Sequence, residues 1–141
     1  MKRKMSTSTS TARKLELLIK LFQKLNARGE RGIPIIVEGK KDFSALRKLG
    51  VNGRIICVKS SAKVLVDFLD DVQSGEVTLF VDFDDTGVSL AKDITQYFEG
   101  KGVKINSVFW RRARSLLRKD TKDVEGVPSY LEKLKKRASH S

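Results

Sequence analysis

Several residue types are scarce in this 141-residue sequence, and each scarcity excludes a class of protein. Cys57 is the single cysteine, so an intramolecular disulfide and a cysteine-rich zinc site are both excluded, which fits a reducing compartment. No apolar run approaches the roughly 20 residues needed to cross a bilayer, and the opening Met-Lys-Arg-Lys lacks the apolar stretch of a secretory signal. We therefore expect a cytoplasmic protein without a membrane-spanning segment.

Acidic residues are also few relative to basic ones. The 17 Asp and Glu residues are outnumbered by 29 Lys and Arg residues, which gives a formal net charge of +12. On a chain of this length such a charge favours a polyanionic partner, with nucleic acid as the first candidate. A basic surface that only keeps the protein dispersed would have the same composition, so charge alone does not decide the function.

The hydrophobic pattern predicts an α/β fold with a parallel sheet. Short apolar, β-branched runs at 33–38, 54–58, 77–81 and 103–109 predict strands, and segments with helical spacing at 11–28, 40–49, 60–74 and 86–98 predict helices. This alternation is typical of parallel strands joined by helices. We expect a three-layer sandwich with a four-stranded parallel sheet in the order 2-1-3-4, preceded by an N-terminal helix.

The same pass along the chain predicts three regions. Residues 1–10 form a basic, Ser/Thr-rich arm that we expect to be disordered, and residues 11–110 form the α/β domain with its leading helix. Residues 111–141 are rich in Arg and Lys, and we expect them to form a basic C-terminal helical extension with two short helices around Pro128 and a frayed end.

Acidic residues follow two of the predicted strands. Glu38 ends the first strand, and Asp82 and Asp84 come directly after the third. Sites in open parallel sheets form at the carboxyl ends of strands, so these side chains are expected to meet in one crevice. Asp82 and Asp84 are two residues apart and would point the same way from an extended segment, where a hard divalent cation would neutralise their repulsion. Mg²⁺ suits such a site because it needs few protein ligands, and Mn²⁺ is the alternative ion.

A different role for these acids stays open from the residues alone. Acidic residues at strand-to-helix turns often cap the next helix and complement its dipole, and Asp85 or Thr86 could do only that. For Glu38 the two roles are evenly balanced.

Two stretches of the sequence together resemble the Toprim domain. The first is Ile-Ile-Val-Glu38-Gly39-Lys-Lys-Asp42, and the second is Val-Asp82-Phe-Asp84-Asp-Thr-Gly87. The resemblance extends from about residue 33 to residue 109. Within the family, the sequence is similar to a small stand-alone Toprim protein, such as the 5S ribosomal RNA maturation nuclease, and to the Toprim domains of primases.

The resemblance implies a function and a set of site residues. It implies that Asp82 and Asp84 coordinate Mg²⁺ and that Glu38 acts as general acid or base in phosphodiester chemistry and also contacts the metal. Gly39 and Gly87 match the turn glycines of the family. The chain has no room for the strand-passage domain of a topoisomerase or the further elements of a primase, so the resemblance leaves a nuclease or a binding subunit.

Basic residues near these motifs are the candidates for binding nucleic acid, which could be RNA or DNA. Trp110, at the start of the basic segment, could stack on a base or lie in the core. Asp123 and Glu125 could add to the acidic site or complement the dipole of a last helix. The candidate phosphate-binding side chains are Lys40, Lys41, Arg111, Arg112, Arg114 and Arg118.

These patterns lead to one expected function and two alternatives. We expect Mg²⁺-dependent, nuclease-like processing of nucleic-acid phosphodiesters, by a single chain, a homodimer or a larger complex. One alternative is a nucleic-acid-binding or complex-assembly module without turnover. The other is a haloacid-dehalogenase-type phosphatase, because Asp82-Phe-Asp84-Asp-Thr86 also fits Asp-x-Asp-x-Thr with Asp82 phosphorylated. That alternative leaves Glu38-Gly39 unexplained.

Overall fold

The computed structural model describes residues 2–59 and 75–139, and the predicted helix at 60–74 and His140 lie outside them. Five helices and four strands follow one another in this part of the chain. The helices are α1 (Lys2–Glu30), α2 (Lys40–Lys48), α3 (Asp85–Gly100), α4 (Val108–Leu117) and α5 (Val127–Ser139). The strands are β1 (Ile35–Val37), β2 (Ile55–Cys57), β3 (Glu76–Leu79) and β4 (Lys104–Asn106).

The four strands form one parallel sheet in the order β2-β1-β3-β4, which confirms the predicted α/β class and strand order. β1 and β3 are the two central strands, and their register pairs Ile35 with Thr78 and Ile36 with Leu79. These residues are fully buried, as expected for strands covered on both faces. The carboxyl ends of β1 and β3 therefore lie next to each other.

The C-terminal segment belongs to the same hydrophobic core as the sheet. α4 packs against β3 and α1, and α5 packs against α1 and α2. Leu117, Val124 and Val127 are completely buried in one cluster with the sheet residues. The segment that the sequence presents as an extension thus lies against the domain and can influence the crevice above β3.

Several element boundaries differ from the sequence prediction, including the third strand, which was predicted at 77–81 and ends at Leu79. The predicted fourth strand at 103–109 ends at Asn106, because the Asn106 side chain accepts a 2.9 Å hydrogen bond from the Val108 amide and turns the chain into α4. Phe109 and Trp110 are therefore helical, and the predicted domain boundary at 110/111 falls inside α4. α1 begins at Lys2 where a disordered arm was expected, since residues 2–28 contain no Gly or Pro to interrupt a helix.

Candidate metal and nucleic-acid site

Glu38 and Asp82 lie at the carboxyl ends of the two central strands. Glu38 directly follows β1, and Asp82 lies three residues beyond the end of β3. The pairing continues past the strand ends, because the Phe80 amide donates a 2.8 Å hydrogen bond to the Ile36 carbonyl. The structure thus brings these two predicted site residues to the same edge of the sheet, on adjacent strands.

Asp82 is held in place by the C-terminal part of the chain. Its Oδ1 accepts a 2.9 Å hydrogen bond from the Val124 amide, and its backbone carbonyl accepts one of 3.1 Å from Nε1 of Trp110. The next residue is held in the same way, since the Phe83 amide donates to the Lys122 carbonyl at 2.8 Å and the Phe83 carbonyl accepts from Nε of Arg114 at 2.9 Å. These four bonds fix the position of the Asp82 carboxyl group.

Negative charge is concentrated around Asp82. The pKa of its carboxyl group is raised to about 6, mainly by burial and in addition by the nearby carboxylates of Asp42, Glu38 and Asp123. The hydrogen bond from Val124 opposes this shift. A cation bound at this edge would relieve that repulsion.

Asp123, which the sequence offers as an addition to the acidic site, and Asp42, to which it assigns no role, both lie near Asp82. Asp42 is only 8% exposed, and its Oδ2 accepts a 3.0 Å hydrogen bond from the Gly39 amide at the start of α2. Burial raises its pKa, as do Glu38, Asp123 and Glu125. The available signal was the spacing of Asp42, three residues after Gly39, because an acid in the first helical turn reaches back to the helix start.

Asp84 caps a helix. It is the N-cap residue of α3, and its Oδ1 accepts a 2.8 Å hydrogen bond from the Gly87 amide. β3 ends at Leu79, so the extended conformation that would aim Asp82 and Asp84 at one point does not reach them. The helix-capping alternative thus describes Asp84 in this structure, and its role as a metal ligand stays a prediction.

Glu38 is paired with a lysine. Its Oε1 lies 2.7 Å from Nζ of Lys59, and this hydrogen bond and the charge of Glu38 raise the pKa of the lysine. The Lys59 amide also donates to the Glu38 carbonyl at 3.1 Å, which extends the β1–β2 pairing to the edge where Glu38 lies. Lys59 therefore offsets part of the negative charge at this edge.

The carboxylates at this edge have the chemistry that Mg²⁺ requires, but they do not form a complete ligand set in this structure. Hard carboxylate oxygens under mutual repulsion are the donors that this ion prefers. Within residues 2–59 and 75–139, however, no three His, Cys, Asp or Glu side chains are arranged to hold a metal ion together. The predicted convergence of Glu38, Asp82 and Asp84 on one space is therefore not preformed. Binding here would use one or two carboxylates, with water and phosphate oxygens completing the shell.

The two predicted turn glycines differ in what surrounds them. A Cβ atom on Gly87 would lie 2.1 Å from the Asp82 carbonyl oxygen, so the first turn of α3 can approach Asp82 only because this residue is glycine. A Cβ on Gly39 would meet nothing within 4 Å, and its backbone is extended (φ −148°, ψ −173°). Gly87 is thus required by close packing, whereas Gly39 is not.

The predicted phosphate-binding side chains lie on separate surfaces. Lys40 and Lys41 are exposed at the start of α2, beside Ser44 and Lys48. Arg112 faces a groove between α1 and α4 with Leu17 and Phe109. A different cleft is lined by Val88, Trp110, Arg111, Arg114, Ser115, Arg118 and Lys119. Trp110 is 7% exposed, so of its two predicted roles the structure shows the buried one.

Comparison with known proteins shows the family. The chain is 36% identical over 119 residues to the UPF0292 protein of Methanocaldococcus jannaschii, an alignment that covers 84% of this chain and 92% of that protein. This chain belongs to the UPF0292 family. The UPF0292 protein of Methanosarcina barkeri is 31% identical over 125 residues, covering 87% of this chain and 86% of the relative. No protein-family model matches the sequence.

One solved structure has a similar fold. A protein from Aquifex aeolicus superposes with a TM-score of 0.62 at 20% identity, over 75% of this chain and 94% of that one. At this identity the similarity shows the fold alone. Among the described residues, none of the helices has the length and apolar character needed to span a membrane.

Proposed function

We propose that this protein is a cytoplasmic, Toprim-like enzyme that processes nucleic-acid phosphodiesters with the help of Mg²⁺, most simply as a nuclease. The observation that carries the proposal is the position of Glu38 and Asp82 just after the adjacent central strands β1 and β3, at one edge of a parallel sheet ordered 2-1-3-4. The net charge of +12 on 141 residues supports a polyanionic substrate.

In this proposal Asp82 is the fixed carboxylate of the site. It is held by Val124 and Trp110, so its orientation needs no rearrangement when a substrate arrives. Asp82 and Asp84 would hold Mg²⁺, which when bound would neutralise negative charge on the phosphodiester. Asp42 and Asp123 strengthen the negative potential that favours the cation.

Glu38 is proposed to transfer the proton. It lies at the same edge but follows a different strand, so it can approach the reacting phosphate from another side than Asp82 does. Its ion pair with Lys59 holds the Glu38 carboxylate in one orientation at the carboxyl edge of the sheet. A glutamate placed in this way can accept a proton from an attacking water or donate one to a leaving oxygen.

Cleavage assays test this assignment. Labelled structured RNA and DNA would be incubated with the native chain and with Asp82→Asn, Glu38→Gln and Asp85→Asn variants, with Mg²⁺ or with EDTA. We expect Mg²⁺-dependent cutting by the native chain, a loss of about 100-fold or more in the Asp82 and Glu38 variants, and near-native cutting by the matched Asp85 variant. Asp85 is exposed in the first turn of α3, so its change removes the same charge close by.

Two outcomes would contradict the nuclease proposal. Cutting that survives both the Asp82 and Glu38 substitutions would place the activity elsewhere. A phosphoaspartate trapped on Asp82 would instead identify the phosphatase alternative.

A binding module without turnover is the second candidate. It is favoured by the absence, within the described residues, of a group of three potential ligands ready to hold a metal. In that case the native chain would bind nucleic acid with the same affinity in Mg²⁺ and in EDTA, and neither it nor the variants would cut.

A further inference from the structure

The cleft beside the Asp84–Val88 turn is strongly basic. It has a volume of about 590 Å³ and lies between Val88, at the start of α3, and one face of α4. Arg111, Arg114 and Arg118 occur at i, i+3 and i+7, so they project from the same side of this helix. Lys119 adds a fourth cation.

The arginines of this cleft differ in what they already contact. Arg111 and Arg118 are exposed and form no ion pair within the described residues. Arg114 is half-buried, and its Nε donates to the Phe83 carbonyl at 2.9 Å. The hydrogen bond to Phe83 therefore holds the Arg114 side chain next to Asp82.

The spacing of these cations matches a phosphodiester strand. Seven helical residues advance about 10 Å, which is similar to the rise of roughly three nucleotides along the axis of B-form DNA at 3.4 Å each. Arginine is well suited to this role because its planar fork can bind two phosphate oxygens at once.

The composition of the cleft also distinguishes it from the neighbouring groove. The groove between α1 and α4 has an apolar floor that includes Leu17, Leu21 and Phe109, which suits a protein segment. The cleft has exposed cations and only Val88 as an exposed apolar wall, because Trp110 is buried. Charge without an apolar anchor favours a nucleic-acid backbone over an acidic protein.

We propose that this cleft binds the backbone of the substrate strand next to the phosphate at the Asp82 edge, with Arg111 and Arg118 contacting flanking phosphates. Arg114 joins the two sites, because it reaches the strand while holding the Phe83 carbonyl. This inference rests on the proposed function for the identity of the substrate, and it assigns the strand to one of three basic surfaces.

A charge-matched pair of double variants tests the proposal. Arg111→Glu with Arg118→Glu changes the cleft, and Lys20→Glu with Lys24→Glu changes the neighbouring groove. Each reversal removes two charges, so both double variants fall from +12 to the same +8. All four side chains are exposed, and thermal unfolding would verify that both variants fold.

Binding is measured in EDTA, so that no cutting occurs. The probes are fluorescein-labelled 20-nucleotide single-stranded RNA and DNA of the same sequence, over a series of KCl concentrations. We expect the cleft variant to bind at least tenfold more weakly, with a salt slope smaller by about 1.4 for two lost phosphate contacts, and the groove variant to stay within about twofold of the native chain.

Three results would overturn the proposal. The first is equal weakening in both double variants, which would indicate an effect of net charge alone. The second is unchanged binding by the cleft variant, and the third is competition by poly-glutamate as strong as by the unlabelled strand. These outcomes are distinct from those of the nuclease proposal. If the cleft variant alone loses binding and the native chain shows no Mg²⁺-dependent cutting, the cleft proposal stands and the nuclease proposal fails. If the native chain cuts and the cleft variant binds normally, the nuclease proposal stands and the cleft proposal fails.

Discussion

The amide of Val124 donates a 2.9 Å hydrogen bond to Oδ1 of Asp82, although 42 residues separate them. Val124 is completely buried, so the loop between α4 and α5 is tied into the core at the point where it reaches the carboxyl edge of the sheet. The sequence presents residues 111–141 as a basic extension, but in the fold they form one wall of the candidate site. The stability of that segment and the geometry of the carboxylate are therefore coupled.

The raised pKa of Asp82 predicts an unusual dependence of stability on pH in metal-free buffer. Its folded-state pKa of about 6 lies above the ordinary value of 3.8, so the folded chain binds the proton more tightly than the unfolded chain does. The stabilisation from this group is complete below about pH 4 and is lost as the pH rises through 6. A full shift would correspond to about 3 kcal/mol, and screening of a half-buried group reduces the expected effect to about 1–2 kcal/mol.

An Asp82→Asn variant measures this effect. The amide oxygen can still accept the Val124 hydrogen bond, and the variant has no charge to desolvate. In EDTA, urea unfolding should show the variant more stable than the native chain by about 1–2 kcal/mol at pH 7.5, with the difference falling towards zero at pH 4. A pH-independent difference would show that Asp82 does not carry this penalty.

The indole of Trp110 provides a second contact from the same segment. A Trp110→Phe variant keeps an aromatic ring in the core but removes the donor to the Asp82 carbonyl. We expect the free energy of unfolding to fall by about 1–3 kcal/mol, because the carbonyl loses its partner and the smaller ring leaves space.

The matched control for this change is Tyr97→Phe, which alters a half-buried aromatic residue on α3. Denaturant unfolding of both variants should show a change below about 0.5 kcal/mol for the control. Equal losses in the two variants would argue that the Trp110 hydrogen bond has no special role.

The sheet and the edge that bears the site could be predicted because they follow from local pattern. Short β-branched runs that alternate with helical spacing specify a parallel sheet, and both Glu38 and Asp82 follow such runs directly. The end of the fourth strand was missed because a single side-chain contact, from Asn106 to the Val108 amide, decides it. Apolar Val108, Phe109 and Trp110 continue a strand-like run until helical periodicity becomes visible further along.

The inner arrangement of the site depends on contacts that sequence spacing does not contain. Asp84 and Asp82 have the same two-residue spacing in a strand or in a turn, but β3 ends before them and the Asp84 carboxylate turns to the Gly87 amide. The approach of Asp123 to Asp82 depends on how α4 and α5 pack on the domain, which is a long-range property. Tertiary packing thus decided which acids share the edge.

The two site glycines should respond differently to substitution by alanine. Gly87→Ala places a methyl group 2.1 Å from the Asp82 carbonyl oxygen, so the backbone must shift, and we expect a loss of at least 2 kcal/mol in the free energy of unfolding. Gly39→Ala has open space around the added carbon and should cost less than about 1 kcal/mol, mostly through poorer helix capping. Urea unfolding of both variants tests this, and equal costs would contradict the close approach at Gly87.

Magnesium should stabilise the native chain through Asp82 in the absence of any substrate. If the edge binds the ion, a concentration of 100 times its dissociation constant would stabilise the fold by about 2.7 kcal/mol, which raises the melting temperature by several degrees. EDTA should reverse the shift.

Asp82→Asn should lose most of the response, because it removes a charged ligand and relieves the carboxylate repulsion that favours the cation. Asp85→Asn, which changes an exposed neighbour, should respond to Mg²⁺ like the native chain. Equal shifts in all three proteins, measured by thermal unfolding against Mg²⁺ concentration, would indicate that the ion acts at another place on the surface.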